Sequence, residues 1–128
     1  MKRRPYIMVV DDDQGMRGML NRNLQLEGYG VVMATDGSSA LTMLEKHRPD
    51  LVILDTMMPQ LDGFQALNLV RQCSNVPIIM LTARSEVEPL RKHRSTNTDD
   101  YVQIPFTIPE LLAHVKAKLR RTRTGVPN

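Results

Sequence analysis

Two short apolar runs in this chain end directly at acidic side chains. The runs and the acids that follow them are Tyr6 to Val10 with Asp11, Asp12 and Asp13, and Leu51 to Leu54 with Asp55. Apolar runs without polar alternation are typical of strands buried on both faces, and such strands form parallel sheets. Open parallel α/β sheets carry their functional residues at the carboxyl ends of the strands. We therefore expect the chemistry of this protein to lie at these carboxylates.

Length and composition limit the chain to one domain. Its 128 residues can bury a single sizeable core, and 41% hydrophobic with 24% charged residues is the balance expected of a soluble globular protein. No apolar stretch approaches the roughly 20 residues that cross a bilayer, and no signal-peptide pattern precedes Tyr6. The sequence predicts a cytoplasmic protein with no membrane partner, in which the lone Cys73 has no assigned role.

Five strand-like runs alternate with helical patterns. The strands are predicted at Tyr6 to Asp11, Gly30 to Ala34, Leu51 to Asp55, Pro77 to Thr82 and Asp100 to Gln103. Right-handed crossovers place helices on both faces of a five-stranded parallel sheet. This is a (βα)5, flavodoxin-like, doubly wound α/β fold, for which we expect the strand order 2-1-3-4-5. That order brings Asp11, Asp12 and Asp55 to one edge.

Local signals mark several helix ends. Asp36 and Asp62 are predicted N-caps, and Gly28 is predicted to end the first helix. The segment from Ser85 to Thr98 is a weaker helix, because Pro89 removes a donor near the first turn and the following residues offer no apolar face. We expect this fourth helix to be short or irregular.

Carboxylates that converge on one sheet edge repel each other unless a cation lies between them. Oxygen ligands without a nearby Cys or His favour Mg2+, Mn2+ or Ca2+ over Zn2+. Mg2+ characteristically uses one or two carboxylates together with phosphate and water. The alternative is a solvated acidic turn after a strand, since short motifs also occur by chance.

The net charge of +3 is concentrated at the two ends of the chain, in Lys2, Arg3 and Arg4 and in Lys116 to Arg123. The second group is not interleaved with aromatic residues, and cations at the end of a helix interact favourably with its dipole. A solvated helix end that leads into a linker is therefore favoured over a nucleic-acid site.

Four ordered motifs resemble those of a known family. The motifs are MVVDDD, LVILDTMMPQLDG, PIIMLTA and DDYVQIPF. They resemble the receiver domain of two-component response regulators over residues 6 to 122. LTARSE and PELLAHVKAKLRR are similar to the branch with a winged-helix DNA-binding output domain. The resemblance implies a receiver domain at residues 1–122, the start of a linker at 123–128, and DNA contact only through an output domain outside this chain.

The resemblance also implies a metal site and a phosphoacceptor. Asp55 would accept a phosphoryl group from a histidine kinase. Mg2+ would be bound directly by Asp12 and Asp55, by Asp11 mainly through water, and by the backbone carbonyl of Met57. The ion would bridge carboxylate and phosphoryl oxygens during transfer.

Two further motif residues correspond to the family's switch. Thr82 would turn its hydroxyl toward a phosphoryl oxygen, and Tyr101 would rotate into the space that it leaves. The alternative for both residues is strand propensity alone. A homodimer would form through the fourth helix, the fifth strand and the last helix. Asp99 and Asp100 would be its acceptors, and Arg121 would be the stronger cation, because His114 replaces a usual arginine.

One position departs from the family pattern. The family has a lysine before the proline that follows the fifth strand, whereas this chain has Ile104 before Pro105. The second phosphate cation is therefore missing, and Arg84 is a possible substitute. The resemblance further predicts a cis peptide between Ile104 and Pro105.

Three functions from different classes are compatible with these residues. The first is a phosphorylation-dependent signalling switch, which is not an enzyme. The second is an interaction module with the same fold that works without phosphate, as Ile104 would permit. The third is a phosphatase with an aspartyl phosphate on Asp11, which leaves Asp55 and Thr82 unexplained.

Overall fold

A single sheet of five parallel strands organises the computed structural model, which describes residues 4–55, 63–83 and 100–123. The strands are β1 (Tyr6–Val10), β2 (Gly30–Ala34), β3 (Leu51–Asp55), β4 (Ile78–Ala83) and β5 (Asp100–Ile104). The helices of the described ranges are α1 (Gln14–Leu26), α2 (Gly37–His47), α3 (Gly63–Cys73) and the last helix, α4 (Ile108–Arg123). The strand order β2-β1-β3-β4-β5 confirms the predicted flavodoxin-like topology. The helix predicted between Ser85 and Thr98 lies outside the described residues.

Both faces of the sheet are covered by buried side chains. Successive residues of a strand point to opposite faces, so Met8 and Val10 join a cluster with α2 and α3, whereas Ile7 and Val9 join a cluster with α1 and α4. We call these the α2/α3 cluster and the α1/α4 cluster. Burial on both sides explains why the strands show no polar alternation in the sequence.

The structure confirms the helix-end signals predicted at Asp36 and Gly28. Asp36 is the N-cap of α2, and its side chain accepts a hydrogen bond from the N–H of Ser39, which holds the pKa of Asp36 below its usual range. Gly28 follows α1 with a φ of 94°, a left-handed conformation that favours glycine. The Ile104–Pro105 peptide is cis, as predicted. Asp62 lies outside the described residues.

Four strand bounds differ from the predicted ones by one residue. Two of them are C-terminal extensions, since β4 ends at Ala83 rather than Thr82 and β5 ends at Ile104 rather than Gln103. β1 ends at Val10 rather than Asp11, although the N–H of Asp11 still donates to the carbonyl of Ala34 over 3.0 Å. β4 begins at Ile78, because Pro77 has no N–H for the ladder, and the carbonyl of Pro77 accepts the N–H of Val52 instead. Across the described ranges, no helix is both long and apolar enough to span a membrane.

Candidate functional site at the carboxyl edge

Asp11 is a fully buried carboxylate at the carboxyl end of β1. Its Oδ1 accepts the N–H of Asp13 over 2.9 Å. Its Oδ2 is also buried and has no hydrogen-bond partner within the described part of the chain. A buried carboxylate oxygen in this state is destabilising unless a proton or a cation satisfies it.

Asp55 lies beside Asp11 because β1 and β3 are neighbours in the sheet. Val10 pairs with Leu54, so the next residue of each strand is an aspartate at the same edge. The pKa of Asp11 is raised from 3.8 to about 7, chiefly because burial disfavours its charged form. The N–H of Asp13 opposes this shift, whereas the contact with Asp55 and the charge of Asp12 add to it.

The structure confirms part of the predicted convergence of carboxylates. Asp11 and Asp55 are both buried and in contact, whereas Asp12 is exposed. Among residues 4–55, 63–83 and 100–123, no three acidic, His or Cys side chains are grouped closely enough to hold a metal ion by themselves. Met57, whose carbonyl is a predicted ligand, lies outside the described residues.

The aspartate pair nevertheless fits Mg2+. This ion is commonly held by one or two carboxylates, with water in its remaining positions. Oδ2 of Asp11, which has no hydrogen-bond partner in the ranges that the structure describes, is an oxygen ligand of the required kind. A cation beside it would also relieve the repulsion between Asp11 and Asp55.

Thr82 and Tyr101 lie on the same face of adjacent strands. Tyr101 pairs with Met80 and packs half-buried against the α2/α3 cluster, to which Met80 belongs. Thr82, two residues after Met80, is fully buried, and its Oγ1 donates to the carbonyl of Ala83 over 3.3 Å. Leu81, the residue before Thr82, pairs with Asp55. Thr82 is therefore one position beyond the register of the aspartate.

Ile104 ends β5 beside Ala83 and is half-buried. Its side chain packs against the α1/α4 cluster together with Phe106 and Leu112. An isoleucine in this environment contributes apolar packing and brings neither charge nor donor to the carboxyl edge. Arg84, the suggested substitute cation, lies outside the described residues.

Asp13 and Arg17 support the site. Asp13 belongs to the acidic run of the sequence, but neither its capping role nor Arg17 was identified from the sequence. Asp13 is the N-cap of α1, and its Oδ2 accepts the N–H of Met16 over 2.7 Å. Arg17 donates from Nη1 to the backbone carbonyl of Asp11 over 3.0 Å. A signal was present, since an aspartate three residues before a helical N–H is a cap pattern and helix side chains point toward the N-terminus.

Both carboxylate oxygens of Asp100 have partners within the chain. His114 of the last helix pairs through Nδ1 with Oδ2 of Asp100, at 2.5 Å. The other oxygen, Oδ1, accepts the N–H of Tyr101 over 2.9 Å. This aspartate, predicted as an acceptor for a partner chain, thus joins β5 to the last helix of its own chain.

Comparisons with known proteins agree with this geometry. The sequence profile of the response regulator receiver domain matches residues 7–116. Response regulator MprA of Mycobacterium leprae is 43% identical over 118 residues, which cover 91% of this chain and 52% of that protein. MprA of Mycobacterium avium is 44% identical over 118 residues, with the same shares. The chain spans about half the length of these curated relatives.

Solved structures show the same likeness. The receiver domain of Francisella response regulator 1452 has a TM-score of 0.84 at 33% identity, with 92% of this chain and 98% of that chain covered. The receiver domain of NtrX from Brucella abortus has a TM-score of 0.82 at 27% identity, with 89% and 98% covered.

Proposed function

Because the chain belongs to the response regulator receiver domain family, we propose that it is a phospho-accepting switch of a two-component system. Asp55 accepts the phosphoryl group from a histidine kinase in this proposal. The observation that carries it is the contact between two buried carboxylates, Asp11 and Asp55, with Oδ2 of Asp11 left without a hydrogen-bond partner among the described residues. A pair of this kind is poorly stable alone and well suited to a cation and a phosphoryl group.

The chain's own residues have distinct tasks in the transfer. A carboxylate oxygen of Asp55 forms the new bond to phosphorus as the bond to the donor breaks. Asp11, Asp12 and Asp55 would hold Mg2+ together with the carbonyl of Met57, and the bound ion would supply positive charge to offset the charge that develops during transfer. The N–H of Asp13 fixes Oδ1 of Asp11, which leaves Oδ2 for the metal or its water.

The switch residues are Thr82 and Tyr101. The bond from Thr82 Oγ1 to the Ala83 carbonyl is long at 3.3 Å, so the hydroxyl can exchange it for a charge-assisted bond to a phosphoryl oxygen. Tyr101 is half-buried on the same face and follows this change. Arg84 is a further candidate contact for the phosphoryl group.

The output lies in a longer protein in this proposal. Relatives of about twice this length support a second domain, which we propose to be a winged-helix DNA-binding domain that controls transcription. DNA is then contacted only through that domain, in the cytoplasm and without a membrane partner. Activation would use a homodimer formed by the predicted fourth helix, the fifth strand and the last helix.

Ile104 favours a second candidate function. Its apolar packing against the α1/α4 cluster leaves the phosphoryl group without the family's lysine. A receiver fold with this site could act as an interaction module that does not depend on phosphate. The two candidates differ in whether Asp55 is modified.

Phosphorylation by a small acyl phosphate with Mg2+, followed by intact-mass measurement, tests the proposal. The wild-type chain should gain one phosphoryl group in a Mg2+-dependent reaction, and Asp55→Asn should gain none. Asp36→Asn is the matched control, because Asn is an equally good N-cap and Asp36 lies at the same edge. An adduct that persists in Asp55→Asn would contradict the proposal, and a wild-type chain that gains none would favour the phosphate-independent module.

A further inference from the structure

We infer that Arg17 is a positioning residue that holds the peptide between Asp11 and Asp12, and so sets how the acidic turn presents its carboxylates to Mg2+. The inference rests on the proposed function, because it concerns the same metal site. It goes beyond that function by assigning a task to a cation of α1. Arg17 acts by holding the backbone and not by binding the ion, since its guanidinium contacts the carbonyl of Asp11.

The turn that carries Asp12 is clamped on both sides. Before Asp12, the N–H of Asp11 donates to Ala34 and the carbonyl of Asp11 accepts from Arg17, each over 3.0 Å. After Asp12, the N–H of Asp13 donates to Oδ1 of Asp11 over 2.9 Å, and the carbonyl of Asp13 accepts the N–H of Arg17 over 3.0 Å. Arg17 therefore contacts this turn twice, through its side chain at the Asp11 carbonyl and through its backbone N–H at the Asp13 carbonyl.

Helix geometry explains why Arg17 reaches this carbonyl. It lies in the second turn of α1, and helix side chains point toward the N-terminus, which here is the acidic turn. The side chain is half-buried, so part of its conformational freedom is already restricted. A hydrogen bond from a charged donor is stronger than one between neutral groups.

A purely electrostatic role for Arg17 predicts the opposite effect on metal binding. If Arg17 only added positive charge near the carboxylates, its removal should strengthen Mg2+ binding. If Arg17 holds the peptide, its removal should weaken binding, because the ligands must then be ordered when the ion binds.

Three variants separate the two roles. Arg17→Met keeps much of the aliphatic stem and removes the donor, whereas Arg17→Lys keeps a charged donor. Arg22→Met removes the same charge from an exposed position of the same helix and is the matched control. For each variant we would measure the Mg2+ dissociation constant, the melting temperature, and the backbone resonances of Asp11 and Asp12 in the metal-free protein.

Arg17→Met should weaken Mg2+ binding about threefold to tenfold, which corresponds to part of the free energy of one charge-assisted hydrogen bond. It should also shift the Asp11 carbonyl and Asp12 amide resonances without metal. Arg17→Lys should recover part of both effects. Arg22→Met should leave the resonances in place and should leave binding unchanged or slightly tighter.

Equal or tighter Mg2+ binding in Arg17→Met would overturn the inference. A lower melting temperature with an unchanged dissociation constant would do the same, because it would reduce Arg17 to a stabilising residue. A wild-type chain that binds no Mg2+ would instead overturn the proposed function. The resonances of the metal-free protein distinguish these cases, since they report the Arg17 contact without the ion.

Discussion

Aspartates at the two edges of the sheet have opposite environments. At the amino edge, Oδ2 of Asp50 accepts the N–H of Tyr6 and the N–H of Asp50 donates to the carbonyl of Tyr6, both over 2.8 Å. At the carboxyl edge, Oδ2 of Asp11 is buried without a partner among the described residues, and a second carboxylate, Asp55, touches it. The described part of the chain thus provides hydrogen bonds for Asp50 but none for Oδ2 of Asp11.

The contrast places a stabilising aspartate at the amino edge of the sheet and the candidate functional aspartates at the carboxyl edge. The hydrogen bonds of Asp50 tie β3 to β1 and need no further group. The site at Asp11 and Asp55 is destabilising when neither a proton nor a cation satisfies the pair, and such polar groups are expected where a protein binds a ligand. Substitutions at the two edges should therefore differ in sign and in their dependence on Mg2+.

The largest effect is expected in the pH dependence of the Mg2+-free protein. The folded pKa of Asp11, about 7, lies above its unfolded value of 3.8, so the folded state binds this proton more tightly. The resulting stabilisation is fully present below the unfolded pKa and is lost as pH rises to about 7. The loss is at most about 4 kcal/mol.

Urea unfolding between pH of about 4 and 8, with a chelator, measures this loss. Other carboxylates also titrate, so the relevant quantity is the difference between wild type and Asp11→Asn, whose amide does not ionise. As pH rises, the free energy of unfolding of Asp11→Asn should increase relative to that of the wild type. A difference that does not change with pH would contradict a raised pKa of Asp11.

Asp50→Ala should destabilise the protein by about 2 kcal/mol, because it removes a charge-assisted hydrogen bond to the Tyr6 N–H. Asp50→Asn, which keeps an acceptor oxygen, should lose less. Chemical unfolding with and without Mg2+ measures both variants. The losses should be the same in both conditions, and a loss that Mg2+ removes would mean that the two edges are coupled.

Ile104→Lys should add a cation to the carboxyl edge. The lysine stem can cover part of the apolar surface near Phe106 and Leu112 while its ammonium reaches water at the strand end. We expect weaker Mg2+ binding and roughly tenfold faster phosphorylation, measured by titration and by intact mass over time. Ile104→Met is the uncharged control. If Ile104→Lys changes neither quantity, residue 104 does not act on the site.

Arg48→Gly should stabilise the amino edge by about 0.5 to 1 kcal/mol. Arg48 caps the end of α2 with φ 47° and ψ 64°, a left-handed conformation that glycine adopts without the Cβ clash. Lys46→Gly, inside the last turn of the same helix, should destabilise by about 1 kcal/mol. Thermal unfolding of the pair gives the comparison. A destabilised Arg48→Gly would mean that side-chain contacts of Arg48 outweigh its backbone strain.

The sequence predicts most of the fold because its strands are buried on both faces. Leu51–Asp55 has the predicted bounds, since continuous burial leaves an uninterrupted apolar run. Gly30–Ala34 also has the predicted bounds, although Met33 of this edge strand is exposed. The sequence pattern predicts that β4 begins at Pro77, one residue before its observed start at Ile78. The pattern reflects apolar character and does not register that proline lacks an N–H. Asp36 and Gly28 were predicted correctly, since capping and left-handed turns depend on local chemistry.

The site was predictable only where strand order determines it. The neighbouring positions of Asp11 and Asp55 follow from the order of β1 and β3. The contact of Arg17 with the Asp11 carbonyl depends on a side-chain rotamer, and the pairing of His114 with Asp100 depends on how the last helix crosses β5. Neither leaves a periodic signal in the sequence.

The effect of Mg2+ on the stability of wild type and Asp11→Asn tests the central claim most directly. At a pH of about 7.5, Asp11→Asn should be the more stable protein without Mg2+, because the variant lacks a buried charge beside Asp55. Saturating Mg2+ should stabilise wild type more and reverse the order, since binding to the folded state adds to its stability. A wild-type stability that Mg2+ leaves unchanged, or an equal gain in both proteins, would contradict the account.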